Sequence, residues 1–299
     1  MEQNKDNNIF KKESEKPKNV LVVGNDNRFL FLKKIMHQKG FKVFSLSFNL
    51  KDIVPFETKT ENKNIKPETD KNLIKNFDII VLPIMYGSEN IKNNILKYIN
   101  KNTVVFGGKL PNDINYGCEI FDYFLYEPLK IKNAAVTAEG AVAEAVINSS
   151  ESMIGSCILI TGYGRIAKNI LNMLTPFSKN ITVAARKDTD RAYINALGFN
   201  AVDFKNLMND INGKNKANEY KFIFNTVPHL IFNSEILKQL NKNCLIIDLA
   251  SAPGGVDFKF AENTGIKAVH SLSLPGKYAP ETAAQLIYSC IDKKIKGEI

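Results

Sequence analysis

Apolar residues in this chain fall into short dense runs, and most of these runs are followed by a stretch of helical spacing. Asn19-Val20-Leu21-Val22-Val23-Gly24 is apolar almost throughout and ends in glycine, the pattern of a parallel strand covered on both faces. The spacing predicts a helix over 29–39, stopped by Gly40, and a strand over 41–46. Strand, helix and strand follow at 77–82, 88–100 and 103–106. Two polar stretches interrupt this order: a charged tail at 1–18, expected to be disordered, and 51–76, which lacks periodicity and reads as a long connection.

The second half repeats the alternation. AEGAVAEAVINSSESM, at 138–153, carries small apolar residues at helical spacing and predicts a linking helix. Strands are expected at 157–161, 181–185, 222–225, 244–249 and 267–269. A turn at 272–280 precedes a last helix over 279–296, with Ala283, Leu286, Ile287, Cys290 and Ile291 on one face. The pattern predicts an α/β protein with a flavodoxin-like N-terminal domain and a Rossmann dinucleotide-binding domain, separated by an interdomain cleft. The expected boundaries are 19–137 for the first domain, completed by the helix within 279–299, then a linking segment at 138–154 and the Rossmann domain at 155–278.

Composition narrows the class of function. At 299 residues the chain is long enough for two cores. Its net charge of +9 raises the question of nucleic acid. However, only four of the forty basic residues are arginine, and the lysines are interleaved with asparagine along the whole length rather than gathered with aromatics. A solvated surface is the better reading, with no nucleic-acid partner. Cys118, Cys157, Cys244 and Cys290 are far apart and suggest neither a disulfide framework nor a metal site. No run approaches a membrane span and the N-terminus has no signal-peptide core, so a cytoplasmic protein is expected.

The chemistry is concentrated in Ile158-Leu159-Ile160-Thr161-Gly162-Tyr163-Gly164-Arg165-Ile166-Ala167, a G-x-G-x-x-A fingerprint between a strand and a helix. Gly162 permits the tight turn, Gly164 lets pyrophosphate approach the backbone, and Ala167 lets the helix lie close to the sheet. The helix beginning at Ile166 would direct its N–H groups at the phosphates. Gly162, Tyr163, Gly164, Arg165 and Ile166 are therefore the first cofactor candidates. The next strand ends in Arg186-Lys187, where a carboxylate would select NAD; two cations favour a 2′-phosphate and thus NADP, with NAD as the alternative. Thr226, Val227 and Pro228 would line the cofactor from the next strand edge. Ala250 and Ser251 leave room for a flat ring, and Pro275 stiffens the last turn. Asp248 is expected to brace the strand-end loop, and Asp257 to order the Gly254-Gly255 turn.

The segments VLVVGNDNR, TAEGAV, ITGYGRIAKNI, ITVAARK, FNTVP, LIIDLASAPGGVDFKFAENTGIKA and LPGKYAPETAAQ resemble the A subunits of bacterial dipicolinate synthase, over roughly 19–295 apart from the 51–76 connection. A looser likeness is to alanine dehydrogenase and the two-domain hydroxyacid dehydrogenases. The closer resemblance implies NADP-linked oxidation of dihydrodipicolinate to dipicolinate during sporulation, in the mother-cell cytoplasm, together with a flavoprotein-like B subunit. Homo-oligomers stay open.

Such a substrate needs clamps for two carboxylates and a route for a proton. Arg28 is the first candidate clamp, with Lys277 and Lys109 behind it, and Thr137 beside them. Glu139 is the first candidate proton acceptor and His229 the second; His37 and His270 offer less. Two other readings remain: a different two-domain dehydrogenase for an amino or hydroxy acid, and a non-catalytic protein that binds NADP within a larger complex.

Overall fold

The computed structural model describes residues 18–24, 26–46, 53–56, 77–84, 95–111, 115–207 and 220–299. The expected tail up to residue 17, most of the 51–76 connection and the first part of the 88–100 helix lie outside the described residues. The chain divides into two compact units, one of 1–25 and 32–122, the other of 26–31 and 123–299.

The first unit holds β1 (Asn19–Val23), α1 (Asn27–Gln38), β2 (Lys42–Leu46), β3 (Val54–Pro55), β4 (Ile79–Ile84), β5 (Val104–Gly108) and β6 (Glu119–Asp122), although the first turn of α1 groups with the other unit. The sheet order is β3-β2-β1-β4-β5-β6, parallel except for β3 against β2. Without β3, the five parallel strands have the flavodoxin-like order 2-1-3-4-5. Val20, Leu21 and Val22 have no exposed surface, which explains why β1 is apolar on both faces. Gly40, at φ +88°, turns the chain out of α1 while Phe41 N–H reaches back to Met36 O at 3.1 Å. Within the expected 51–76 connection, β3 pairs Pro55 with Phe44 at the sheet edge, where proline's missing N–H costs little.

The second unit carries α2 (Glu127–Asn148), β7 (Cys157–Thr161), α3 (Arg165–Leu174), β8 (Ile181–Ala184), α4 (Asp188–Ala196), β9 (Asn200–Val202), β10 (Tyr220–Asn225) and the short α5 (Ser234–Leu237). It continues with β11 (Leu245–Asp248), α6 (Phe258–Thr264), β12 (Lys267–His270), α7 (Leu274–Tyr278) and α8 (Pro280–Ile295). All six strands are parallel in the order β12-β11-β10-β7-β8-β9, which is the 3-2-1-4-5-6 order of a dinucleotide-binding fold read from its other edge. Its ligand crevice belongs at the topological switch point, outside the carboxyl ends of β7 and β10.

Three expectations change here. The linking helix starts at Glu127 and stops at Asn148, because Pro128 suits a first helical turn and the chain turns extended at Ser149. Its small residues serve close packing, since a Cβ on Gly140 would stand 2.8 Å from Leu274 Cβ. The 272–280 turn contains a short helix, α7. The C-terminal helix, assigned from sequence to the N-terminal domain, groups with the second unit and packs on α2 and α7.

Candidate nucleotide-binding site

The apolar strand β7 delivers the chain into the turn at Gly162, whose φ of +96° suits glycine. A Cβ there would also strike the Thr226 hydroxyl and lie 3.1 Å from Val227 Cγ2. Gly162 therefore meets two constraints, one of backbone and one of space. Gly164 differs: it is exposed, its φ is −82°, and a Cβ would meet nothing within 4 Å. The space in front of it is open, and no side chain caps the first turn of α3. Ala167 is fully buried, so α3 lies close against the sheet. An uncapped ten-residue helix behind an open glycine turn suits a pyrophosphate.

A buried polar ladder runs across the carboxyl ends of β7, β10 and β11. Thr161, Asn225 and Asp248 stand in register on β7, β10 and β11, and none has exposed surface. Thr161 Oγ1 donates to Asn225 Oδ1 at 2.5 Å, and Asn225 Nδ2 donates to Asp248 Oδ1 at 2.7 Å and to Val227 O at 3.1 Å. Val227 N–H returns to Asn225 Oδ1 at 3.2 Å. Asp248 accepts the N–H groups of Ala250 at 3.1 Å and Gly255 at 2.8 Å, so it braces the loop after β11. One amide thus orients the loops after β10 and β11. Gly255 makes room for the Asn225 amide, which a Cβ would strike, so this glycine is small for an internal neighbour and not for a ring. Sequence reading missed Asn225, whose only signal was a polar residue ending an apolar strand.

The expected cofactor residues are placed as follows. Tyr163 is half-buried, its ring 6.4 Å from that of Tyr193 and 4.9 Å from Lys168 Nζ; burial, and then the nearby Tyr193 and Asp190, push its phenol pKa up. Arg165 is tied at 2.5 Å to Glu127, whose carboxyl is lowered by hydrogen bonds from Arg165 and Lys130. Ile166 packs against the core. Arg186 and Lys187 are exposed at the end of β8, and no described residue pairs with either side chain. The Thr226 hydroxyl donates to Thr161 O at 2.8 Å, fastening the two strand-end loops; Val227 is half-buried and Pro228 exposed. Ala250 is buried, Ser251 exposed and Pro275 buried within α7. His270 Nε2 lies 2.9 Å from Ala250 O. Asp257 caps α6 by accepting Phe260 N–H at 2.9 Å, and does not order the Gly254-Gly255 turn.

The expected substrate residues are more committed. Arg28 is buried and holds Asp26 twice, Nε to Oδ1 at 2.9 Å and Nη2 to Oδ2 at 2.5 Å. Burial raises the Asp26 carboxyl, but hydrogen bonds from the Arg28 side chain and backbone outweigh it and hold the pKa below its ordinary value. Both side chains crowd Gly276, where a Cβ would stand 2.9 Å from Arg28 Nε and 3.0 Å from Asp26 Oδ1. Lys277 Nζ pairs at 2.5 Å with the buried Glu144. The Thr137 hydroxyl donates to Asn133 O at 2.8 Å, within its own helix. Glu139 and His229 are exposed, and no described residue hydrogen-bonds to either side chain.

No family model matches the chain. The A subunit of dipicolinate synthase from Bacillus subtilis (strain 168) is 26% identical over 296 residues, covering 92% of this chain and 94% of that protein. The chain is a homologue of the dipicolinate synthase A subunit. A solved structure of the corresponding A subunit from Bacillus halodurans superposes with a TM-score of 0.74 at 23% identity, covering 92% of this chain and 97% of the other. A transhydrogenase structure from Sinorhizobium meliloti gives a TM-score of 0.62 at 13% identity, covering 92% and 91%. The two-sheet α/β fold is thus shared with the dipicolinate synthase A subunit and, more distantly, with the transhydrogenase. Among the described residues, no helix is long and apolar enough to cross a membrane.

Proposed function

We propose that this chain binds NADP on its second unit and serves as the A subunit of a dipicolinate synthase, oxidising dihydrodipicolinate to dipicolinate. The observation that carries the cofactor reading is the open, uncapped Gly164 turn one strand away from the unpaired Arg186 and Lys187. The substrate rests on the likeness to the dipicolinate synthase A subunit. When bound, the nicotinamide accepts the hydride removed from the ring, and one proton leaves as the ring becomes aromatic.

The chain's own groups then have separable tasks. The N–H groups at the start of α3 and the Gly162 turn hold the pyrophosphate. Arg186 and Lys187 meet the 2′-phosphate. The loops after β10 and β11, fixed by Asn225 and Asp248, would border the nicotinamide. Arg28, with Nη1 unpaired among the described residues, takes a substrate carboxylate, while Asp26 keeps the guanidinium in place. Glu139 and His229, both exposed and without a partner among the described residues, are the candidate proton acceptors. In this reading a flavoprotein-like B subunit works beside the chain in the mother cell of a sporulating bacterium.

The test incubates the full chain with dihydrodipicolinate and NADP, with and without the B subunit, following dipicolinate absorbance. Product that requires this chain and NADP is expected, and Arg186→Asp should cost NADP binding far more than NAD binding. No product in either condition would overturn the assigned reaction. Equal losses for both nucleotides would overturn the NADP assignment.

A further inference from the structure

A second arginine stands behind the exposed pair at the end of β8. Arg191, on α4, donates through Nη1 to the carbonyl oxygens of Ala185 at 2.8 Å and Arg186 at 2.9 Å. The same nitrogen lies 2.8 Å from Asp203 Oδ2, and Nη2 is bound to Asp188 Oδ1. The acceptors are themselves fixed: Ala185 N–H donates to Val202 O at 2.9 Å, and Asp203 Oδ1 accepts Lys205 N–H at 2.8 Å. The Arg191 side chain is only 19% exposed, unlike Arg186 beside it.

This arrangement has a mechanical effect and an electrostatic one. Holding the carbonyls of residues 185 and 186 together fixes the backbone from which the Arg186 side chain leaves the sheet. Arg191 reaches both carbonyls and Asp203 through Nη1, and Asp188 through Nη2. Asp188 follows Arg186 by two residues, close enough to pair with it or to repel an incoming phosphate. Arg191 engages that carboxylate and the one on Asp203. Asp188 and Asp203 are thereby drawn towards Arg191 and away from the cations facing solvent at 186 and 187.

We infer that Arg191 is a positioning residue for nucleotide selection: it aims Arg186 and masks Asp188 and Asp203, so that the β8–α4 loop discriminates for a 2′-phosphate. The inference rests on the NADP reading above. The test measures dissociation constants of the full chain for NADPH, NADH, adenosine 2′,5′-bisphosphate and 5′-AMP by titration calorimetry. Arg191→Met should weaken both 2′-phosphorylated ligands by about tenfold or more while leaving NADH and 5′-AMP within about twofold. Adding Asp188→Asn to that variant should restore part of the loss, which a merely structural role would not allow. Equal weakening of NADPH and NADH, or no weakening of either, overturns the inference.

Arg186→Asp in the wild-type background separates the two levels. If it leaves NADPH binding intact, the NADP reading itself fails. If it weakens NADPH selectively while Arg191→Met does not, only the role of Arg191 fails. Should Arg191→Met not fold, Asp188→Asn alone decides the masking: it should keep NADPH affinity within about twofold, because that carboxylate is already engaged by Arg191. A rise of about tenfold would overturn it.

Discussion

The Asp26 carboxylate and the Arg28 guanidinium are joined by two side-chain hydrogen bonds, at 2.9 and 2.5 Å, and Arg28 N–H adds a third to Asp26 Oδ1 at 2.8 Å. Asp26 thus opens α1, through Phe29 N–H on its carbonyl at 2.9 Å, and also orients the arginine two residues on. Two of the three guanidinium nitrogens are thus in use, and Nη1 has no partner among the described residues.

Asp26→Asn should lower the melting temperature at neutral pH. The folded chain holds this carboxyl below its ordinary 3.8, so folding favours the ionised form. Its stabilisation is complete above about pH 4 and is lost as pH falls through the lowered value. Thermal melts of wild type and variant from pH 2 to 7 should therefore converge at the acid end; a constant gap would contradict the pairing.

Gly162→Ala and Gly164→Ala should part company. The first forces a side chain into φ +96° and onto Thr226, with a strain of about 1–3 kcal/mol before the clash is added. Urea unfolding should shift to a lower midpoint. The second meets nothing, so its midpoint should stay near wild type while nucleotide binding weakens. Unchanged binding in Gly164→Ala would argue against pyrophosphate at this turn.

Asn225→Asp should destabilise the fold by about 2–5 kcal/mol, since it turns a donor aimed at Asp248 Oδ1 into a second buried carboxylate oxygen. Chemical denaturation measures this, and part of the loss should return at acid pH, where one shared proton restores a hydrogen bond.

Lys33→Met should raise the melting temperature at neutral pH. Lys33 is buried on α1, its Nζ donates to Ser45 Oγ at 2.9 Å, and burial pushes its pKa below 10.5. The cost of burying the ammonium is full below the lowered pKa and fades as pH rises towards 10.5, so the gain from methionine should shrink over that range. Melts at pH 7 and pH 10 compare the two.

Much of this fold is legible because parallel strands buried on both faces are written as apolar runs: β1, β7, β10 and β11 could be found without a structure. The strands β6 and β9 could not, because they lie at sheet edges and are half-exposed, so their residues show no apolar contrast. The Gly162–Ala167 turn was readable since its requirements are local. The roles of other residues were not. Lys277 finds Glu144 across 133 positions, and Asn225 joins Thr161 and Asp248 across 64 and 23. Asp26 was overlooked for the opposite reason, since a partner two residues away leaves no pattern that separates it from any helix-opening aspartate.

The grouping of 26–31 with 123–299 has a practical consequence for anyone cutting this chain. A fragment starting at Tyr123 retains all six strands of its sheet and every residue of the glycine turn. Yet it loses the first turn of α1, and with it the two side chains that lie against Gly276. An excised second unit should thus be made by grafting that turn back or by repacking the exposed face of α7. Simple truncation would leave a hole that ordinary domain parsing by contiguous segments does not reveal.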